Sequence, residues 1–377
     1  MKKRRTKKWP FLMLFILIVL IFGALYFFKG YFMKNNNKPE EKPETVVKEK
    51  EYSTSVTFAG GILINNYMWS YTKTSEGYDF EPIFENVNDM MKKSDVNFYF
   101  QESILGGVEL GASGNRSGKY LYNSPSDLIT TLTKVGFNMA SLASYHAYDE
   151  GITGIKNSIK LLNDNKLVYS GINQNENKNN SNIVTKNNIK IGLLSYTLGT
   201  DEVVVESYAV NVYDSEKVKE DVENLKKDVD VVIVSIEWNN LNSNEITAKQ
   251  EEVVKELSDL GVNIIVGNTN YSIQPIKMVG DTLVCYSLGN LLTGHTSIDS
   301  RISMMVDLDI KKKGEKITID DINVGLYYAY NVNNSKFKVL PFAKIEKELN
   351  NYKTYYDKYK ELLTKDNENI EFYNIGD

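Results

Sequence analysis

Hydrophobic residues follow two different spacings from about residue 54 onward. Short runs rich in β-branched and aromatic residues alternate with runs in which apolar side chains recur every three or four positions, as in amphipathic helices. Strands are predicted at residues 56–64, 96–100, 137–142, 189–196, 229–238, 262–266, 282–287, 302–310 and 317–331. Helices are predicted at residues 82–93, 125–135, 155–165, 216–227 and 247–260. This alternation predicts sheets covered by helices, which is an α/β architecture.

The end of the chain departs from this alternation. The closing strands have no helix between them and are therefore expected to be antiparallel. A terminal amphipathic helix is predicted at residues 346–365, where apolar and aromatic side chains share one face. We expect it to pack against the domain as a docked tail, and binding of a partner is the alternative.

The start of the chain has a third pattern. Residues 11–28 form a run of 18 residues without a charge, which is about the length needed to cross a bilayer as a helix. Six basic residues precede Trp9, which predicts a cytoplasmic N-terminus and an extracellular domain. A cleaved signal peptide is the alternative, although the run ends in bulky residues (Tyr26, Phe27, Phe28) rather than the small residues of a cleavage site. The predicted organisation is a basic tail at 1–8, a membrane anchor at 9–33, a flexible stalk at 34–52, a domain at 53–345, and a C-terminal helix and tail at 346–377.

Charge and cysteine content narrow the classes of function. The net charge is −5, and without the six leading cations it is −11, so the outer part of the chain is acidic. An acidic domain is not expected to bind nucleic acid. Cys285 is the single cysteine, which excludes an intrachain disulfide, and its apolar surroundings predict a buried strand residue.

Polar motifs follow several predicted strands, at the strand ends where α/β folds place their sites. They are residues 58–63 (FAGGIL), 101–104 (QESI), 143–151 (ASYHAYDEG), 235–238 (SIEW), 266–276 (VGNTNYSIQPI) and 286–290 (YSLGN). In order and spacing these motifs resemble the CapA-type poly-γ-glutamate capsule-synthesis proteins, whose domain is similar to calcineurin-like metallophosphoesterases. The resemblance covers residues 54–310 and implies a metallophosphoesterase-like α/β sandwich of mixed sheets flanked by helices, behind one transmembrane helix.

The chain departs from the family at most positions that would hold metals. It has Gly61 for Asp, Phe100 for Asn, Glu237 for His, and Asn268, Thr269 and Tyr271 for the three His of a Gly-His-His-Pro-His motif. A two-metal hydrolytic site needs a bridging carboxylate and several imidazole or carboxylate ligands. The sequence therefore predicts that the family's two-metal chemistry is lost.

A candidate pocket remains at the predicted strand rim. Its members are Glu102, His146, Asp149, Glu237, Asn268 and Asn290. Glu102, His146 and Glu237 are the weak candidates for metal ligands, and with Asp149 they would suit a single divalent cation. In the alternative structural roles, Glu102 accepts backbone N–H groups, His146 is hydrogen-bonded below the rim, and Asp149 caps the following helix. His295, the other histidine, is expected in a surface loop.

Two functions of different class follow. The first is a non-catalytic accessory without a cofactor, which would assist synthesis, export or anchoring of an anionic cell-surface polymer beside membrane-embedded synthase subunits. The second is a single-metal hydrolase acting on a phosphate ester or amide of the cell envelope. Metal binding at the rim distinguishes the two.

Overall fold

The computed structural model describes residues 9–35, 49–87, 91–116, 118–176, 182–239, 242–268, 271–367 and 369–373. Helix α1 (Trp9–Asn35) belongs to one unit, and the chain from Lys50 onward forms a second, compact unit. The predicted basic tail and residues 36–48 of the predicted stalk lie outside the described residues.

Helix α1 has the features of a membrane span. Its 27 residues would measure about 40 Å along the axis, which exceeds the hydrocarbon thickness of a bilayer. Its large apolar side chains are exposed, as expected for a segment whose partner is lipid. By length and composition, residues Trp9–Lys34 can cross a membrane.

The second unit contains the remaining elements. The described strands are β1 (Glu51–Ile62), β2 (Val96–Gln101), β3 (Gly114–Arg116), β4 (Lys119–Leu121), β5 (Met139–Ser141), β6 (Val168–Ser170), β7 (Ile183–Lys186), β8 (Ile189–Thr197), β9 (Val231–Glu237), β10 (Ile264–Asn268), β11 (Ile273–Val279), β12 (Thr282–Leu288), β13 (Asn290–Leu292), β14 (Ile302–Lys313), β15 (Lys316–Asn331), β16 (Phe337–Pro341) and β17 (Glu371–Tyr373). The described helices are α2 (Asn66–Thr72), α3 (Glu81–Phe84), α4 (Asp127–Val135), α5 (Gly151–Asp164), α6 (Ser215–Leu225), α7 (Ala248–Asp259) and α8 (Tyr352–Thr364).

These strands form two large mixed sheets and a small hairpin of β3 and β4. Within the described residues, the first sheet runs β16-β15-β14-β1-β2-β5-β6, with β13 paired to β1 and β17 to β15. The second runs β11-β12-β10-β9-β8-β7. Strands β14 and β15 are antiparallel, which confirms the prediction for the closing strands.

Alternating side chains explain how the sheets pack. In β9, Val231 and Ile233 lie in a core shared with Val56 and Phe58 of β1, between the two sheets. Val232, the intervening residue, faces a different core that includes residues of α6 and α7. Helices α2 to α5 cover the outer face of the first sheet in the same way. The predicted α/β sandwich with flanking helices is confirmed.

Parallel strands of both sheets set the position of the candidate pocket. In the first sheet β1, β2, β5 and β6 are parallel, and in the second β8, β9, β10 and β12 are parallel. The carboxyl ends of each set lie on one edge of its sheet, and contacts described below join the two edges. We call this edge the rim.

One predicted helix is described only in part, and another begins later than predicted. In the predicted helix 82–93, α3 is followed by turns to residue 87, Met91 is helical, and residues 88–90 lie outside the described part. The terminal helix begins at Tyr352 and not at residue 346, because Asn351 has a left-handed backbone (φ 62°) that interrupts the helical path. Helix α8 packs against β11, and β17 adds to the first sheet, so the C-terminal segment belongs to the compact unit.

Candidate functional site

Two buried glutamates form the centre of the rim. Glu102 follows β2 and Glu237 ends β9, and neither side chain is exposed to solvent. The Tyr271 hydroxyl donates a hydrogen bond to Glu102 Oε1 at 3.0 Å. The Thr197 hydroxyl donates to Glu237 Oε2 at 2.5 Å. The Glu237 carboxyl group also accepts a hydrogen bond from the backbone of Tyr145. The side-chain donor to Glu102 among the described residues is the Tyr271 hydroxyl, so the backbone-anchoring role considered for Glu102 is not observed.

Burial controls the protonation of both groups. Loss of solvation raises the pKa of Glu102 to about 7, against the opposing effects of His146 and the Tyr271 hydroxyl. Loss of solvation also raises the pKa of Glu237 to about 8, and the negative charge of Glu102 adds to that increase. Near neutral pH both carboxyl groups are therefore poised between the charged and neutral forms.

A histidine–aspartate pair lies beside them. Nδ1 of His146 is 3.0 Å from Oδ2 of Asp149, and the same oxygen accepts the backbone N–H of Tyr122 at 2.6 Å. Burial lowers the pKa of His146, but Asp149, Glu102 and Glu237 together outweigh burial, so the pKa is raised. The hydrogen bond considered for His146 in its structural role is present.

Asp149 does not cap the helix that follows it. The N-cap residue of α5 is Glu150, and its side chain makes no capping hydrogen bond. The capping role considered for Asp149 is wrong, because its carboxylate turns toward His146 and the Tyr122 backbone instead.

Gly61 marks the place where the resemblance implies a metal-binding carboxylate. A Cβ atom built on Gly61 would lie 2.8 Å from Asn290 Oδ1 and 3.5 Å from Glu102 Oε2. Asn290, the first residue of β13, is fully buried and pairs with Gly61 in the parallel register of β1 and β13. The amide of Asn290 therefore occupies the space next to the missing side chain.

Asn268 completes the predicted set. It ends β10 directly opposite Glu237 in the register of β9 and β10. Its amide donates to Ser235 Oγ at 3.0 Å and to the Val266 carbonyl at 3.2 Å. The structure thus brings Glu102, His146, Asp149, Glu237, Asn268 and Asn290 to the same rim.

Several buried polar atoms at the rim have no hydrogen-bond partner among the described residues. They are Glu102 Oε2, Asp149 Oδ1, Glu237 Oε1, Asn268 Oδ1, and both Oδ1 and Nδ2 of Asn290. Unpaired buried polar atoms are uncommon and indicate a site for water, an ion or a ligand.

The sequence patterns did not assign a site role to two tyrosines and one threonine. Tyr271 bonds to Glu102, Thr197 bonds to Glu237, and Tyr122 packs its ring on His146 with centroids 4.5 Å apart. His295 lies in a loop and is half-buried, with the centroid of its ring 4.4 Å from that of Tyr271. Of these residues, only Tyr271 stood in a sequence motif, at the position of the last histidine in the family's histidine-rich motif.

The donor set does not fit a metal pair. Gly61 supplies no bridging carboxylate, Asn290 crowds its place, and Tyr271 is bonded to Glu102. The ligand atoms of His146, Asp149 and Asp201 lie within 4.8 Å of one another, which is compatible with one cation. Asp201 was not among the predicted residues.

Comparison with known proteins agrees with this architecture. The model of the bacterial capsule synthesis protein family PGA_cap matches residues 55–295. Since this match covers more than half of the chain, the chain belongs to that family.

Two similar proteins are both named CapA. The chain is 25% identical over 326 residues to the PGA biosynthesis protein CapA of Bacillus subtilis, covering 83% of this chain and 80% of that protein. It is 23% identical over 286 residues to the capsule biosynthesis protein CapA of Bacillus anthracis, covering 72% and 67%. A phosphatase structure from Mycoplasma pneumoniae is similar with a TM-score of 0.46 and 12% identity, covering 74% of this chain and 94% of that one.

Replacing His146 by Ala should lower stability without changing any response to metal. Truncation removes the partner of a buried Asp149 oxygen, which we expect to cost about 1–3 kcal/mol. Thermal melts of both proteins, with and without Mn²⁺ or Zn²⁺, measure the effect. A wild-type melting temperature that rises steeply with metal, and a variant that does not respond, would instead identify His146 as a ligand.

Proposed function

We propose that this chain is a membrane-anchored, non-catalytic accessory protein in the synthesis, export or anchoring of an anionic capsule polymer of the poly-γ-glutamate type. Its compact unit lies outside the cell, and its partners are membrane-embedded polymer synthase subunits. Membership of the capsule synthesis family and the name of the B. subtilis relative support the polymer class.

One observation carries the non-catalytic part of this proposal. The position that should supply a bridging carboxylate is Gly61, and Asn290 Oδ1 lies 2.8 Å from the point where such a side chain would begin. A two-metal hydrolase cannot position its nucleophilic water without that bridge. Glu102 and Glu237 are instead bonded to hydroxyl groups of the protein itself.

The accessory role is tested in the cells that make the protein. Deleting the chain should lower the amount of cell-bound polymer, and the full-length chain should restore it. A chain that lacks α1 but keeps a secretion signal should fail to restore it, since the domain would no longer be held beside the synthase. Unchanged polymer after deletion would contradict the proposal.

The orientation of the anchor is tested separately. Protease added to intact cells should degrade the compact unit and leave a short membrane-bound fragment, because the basic residues before α1 favour a cytoplasmic N-terminus. A protected full-length chain, or a domain free in the medium with its N-terminus near residue 28, would contradict this topology.

The unpartnered oxygens support a second candidate, a single-cation hydrolase of the cell envelope. Glu102, Asp149 and Glu237 each present one oxygen without a partner among the described residues, and such oxygens suit Mg²⁺, Ca²⁺ or Mn²⁺. Hydrolysis of a chromogenic phosphodiester that depends on added cation, and is lost in Glu237→Gln, would favour this candidate.

A further inference from the structure

The rim is rich in hydrogen-bond acceptors that lack donors. Glu102, Glu237 and Asn268 are fully buried, and each presents one oxygen with no partner in the part of the chain that the structure describes. The unpaired oxygens Asn290 Oδ1 and Glu102 Oε2 lie 2.8 and 3.5 Å from the position that a Cβ atom of residue 61 would take, so both lie on the same side of Gly61. Acceptors that converge in this way call for a ligand with several N–H or O–H donors.

Aromatic rings stand beside these acceptors. Tyr122, Tyr145 and Tyr271 are half-buried. Tyr122 and Tyr145 both pack against His146, with centroids 4.5 and 5.2 Å from its ring. Tyr271 contacts Glu102 through its hydroxyl group. Aromatic faces next to carboxylates attract organic cations through the ring quadrupole.

Lys119, which lies at this edge, does not form an ion pair with Glu102 or Glu237. Lys119 pairs with Glu202 at 2.8 Å, and that pair lies on the exposed side. Asp201, the neighbour of Glu202, adds a further acidic group close to His146 and Asp149. The rim therefore carries more acidic groups than basic ones among the described residues.

From this geometry we propose that the rim binds a primary ammonium group, whose three N–H donors pair with the free oxygens of Glu102, Glu237 and Asn290 while tyrosine rings flank its carbon chain. The inference rests on the proposed function, because it treats the rim as a binding site and not as a hydrolytic one. The ammonium group would bind at the rim in place of the metal pair.

The residues that stand in place of the family's histidines suit an ammonium group better than a metal ion. Tyrosine and asparagine stand in the family's histidine-rich motif, at Tyr271 and Asn268, and neither is a strong ligand for a transition metal. Both are suited to hydrogen bonding or to packing against an organic cation. The ligand could be a lysine-like side chain or the amino end of a glutamate polymer, since both present a primary ammonium group.

The test is isothermal titration of the full-length protein in detergent. Butylammonium chloride represents a lysine-like group, γ-glutamylglutamate represents the amino end of the polymer, and 1-butanol is the neutral control. We expect binding of at least one ammonium ligand and none of butanol, and the tighter ligand identifies the source. N-acetylation of γ-glutamylglutamate should remove any binding that it shows.

Variants locate the binding. Glu237→Gln and Tyr122→Leu should each weaken binding about tenfold or more, whereas Glu220→Gln on the exposed face of α6 should leave it unchanged. Thermal melts confirm that each variant is folded. Equal binding to wild type and Glu237→Gln, or no ammonium binding together with tight binding of Mn²⁺, would overturn the inference. The polymer measurement tests the accessory role independently of this result.

Discussion

Replacing Glu102 or Glu237 by Gln should make the protein more stable than wild type in alkaline buffer and leave it close to wild type in mildly acidic buffer. The reason is the cost of ionising a fully buried carboxyl group. The folded-state pKa is about 7 for Glu102 and about 8 for Glu237, against an ordinary value of 4.5.

The direction in which stability changes with pH follows from proton binding. Between the unfolded and folded pKa values the folded protein holds more protons than the unfolded chain, so its stability falls as pH rises. The contribution of each group is fully present below about pH 4.5 and is lost as pH rises through about 7 for Glu102 and about 8 for Glu237. The loss is on the order of 3 kcal/mol for Glu102 and on the order of 5 kcal/mol for Glu237, from pKa increases of about 2.5 and about 3.5. A glutamine keeps a similar shape and does not ionise.

Urea unfolding at about pH 5 and about pH 8.5 measures the difference, with Glu220→Gln as the exposed control. The gap between each buried variant and wild type should widen with pH, and the control should show no such trend. If the stability difference between wild type and the buried variants were the same at both pH values, these carboxyl groups would ionise without a cost to folding.

Restoring an aspartate at position 61 should strongly destabilise the protein and should not restore metal binding. The new Cβ would lie 2.8 Å from Asn290 Oδ1, and the new carboxylate would approach Glu102, whose Oε2 is 3.5 Å from that Cβ. A buried charge without a partner typically costs about 3–5 kcal/mol.

Gly61→Ala separates the steric effect from the effect of charge. The alanine variant should lose part of the stability that Gly61→Asp loses, and neither melting temperature should rise with Mn²⁺. A Gly61→Asp protein that is unstable alone but regains wild-type stability when metal is added would show that a metal site remains beneath the substitutions.

Much of this fold was predictable because its strands and helices have clear periodicities. The run of apolar residues in β9 predicts a strand and the apolar stripe on α7 predicts a helix, and both elements are observed. Short strands such as β6, β13 and β17 were not predicted, since three residues are too few to show a period. Their pairing depends on tertiary contacts.

The site was predictable in its membership and less so in its contacts. The strand-end motifs identified Glu102, His146 and Glu237, because parallel strands bring their carboxyl ends together. No sequence pattern pointed to Thr197 as the hydroxyl partner of Glu237. Tyr271 stands in one of the motifs, but its hydrogen bond to Glu102 joins residues that are far apart in the sequence and could not be predicted from it. Asp149 was misjudged as a helix cap because local sequence suggests capping, whereas the fold turns it toward His146.

The central claim is that this rim no longer holds a catalytic metal pair. The most direct measurement is the metal content of the full-length protein, purified without chelator and then supplied with Mn²⁺ or Zn²⁺, together with its activity on a chromogenic phosphodiester. We expect no stoichiometric metal and no metal-dependent hydrolysis. Two equivalents of tightly bound metal, with hydrolysis that disappears on chelation, would contradict the account.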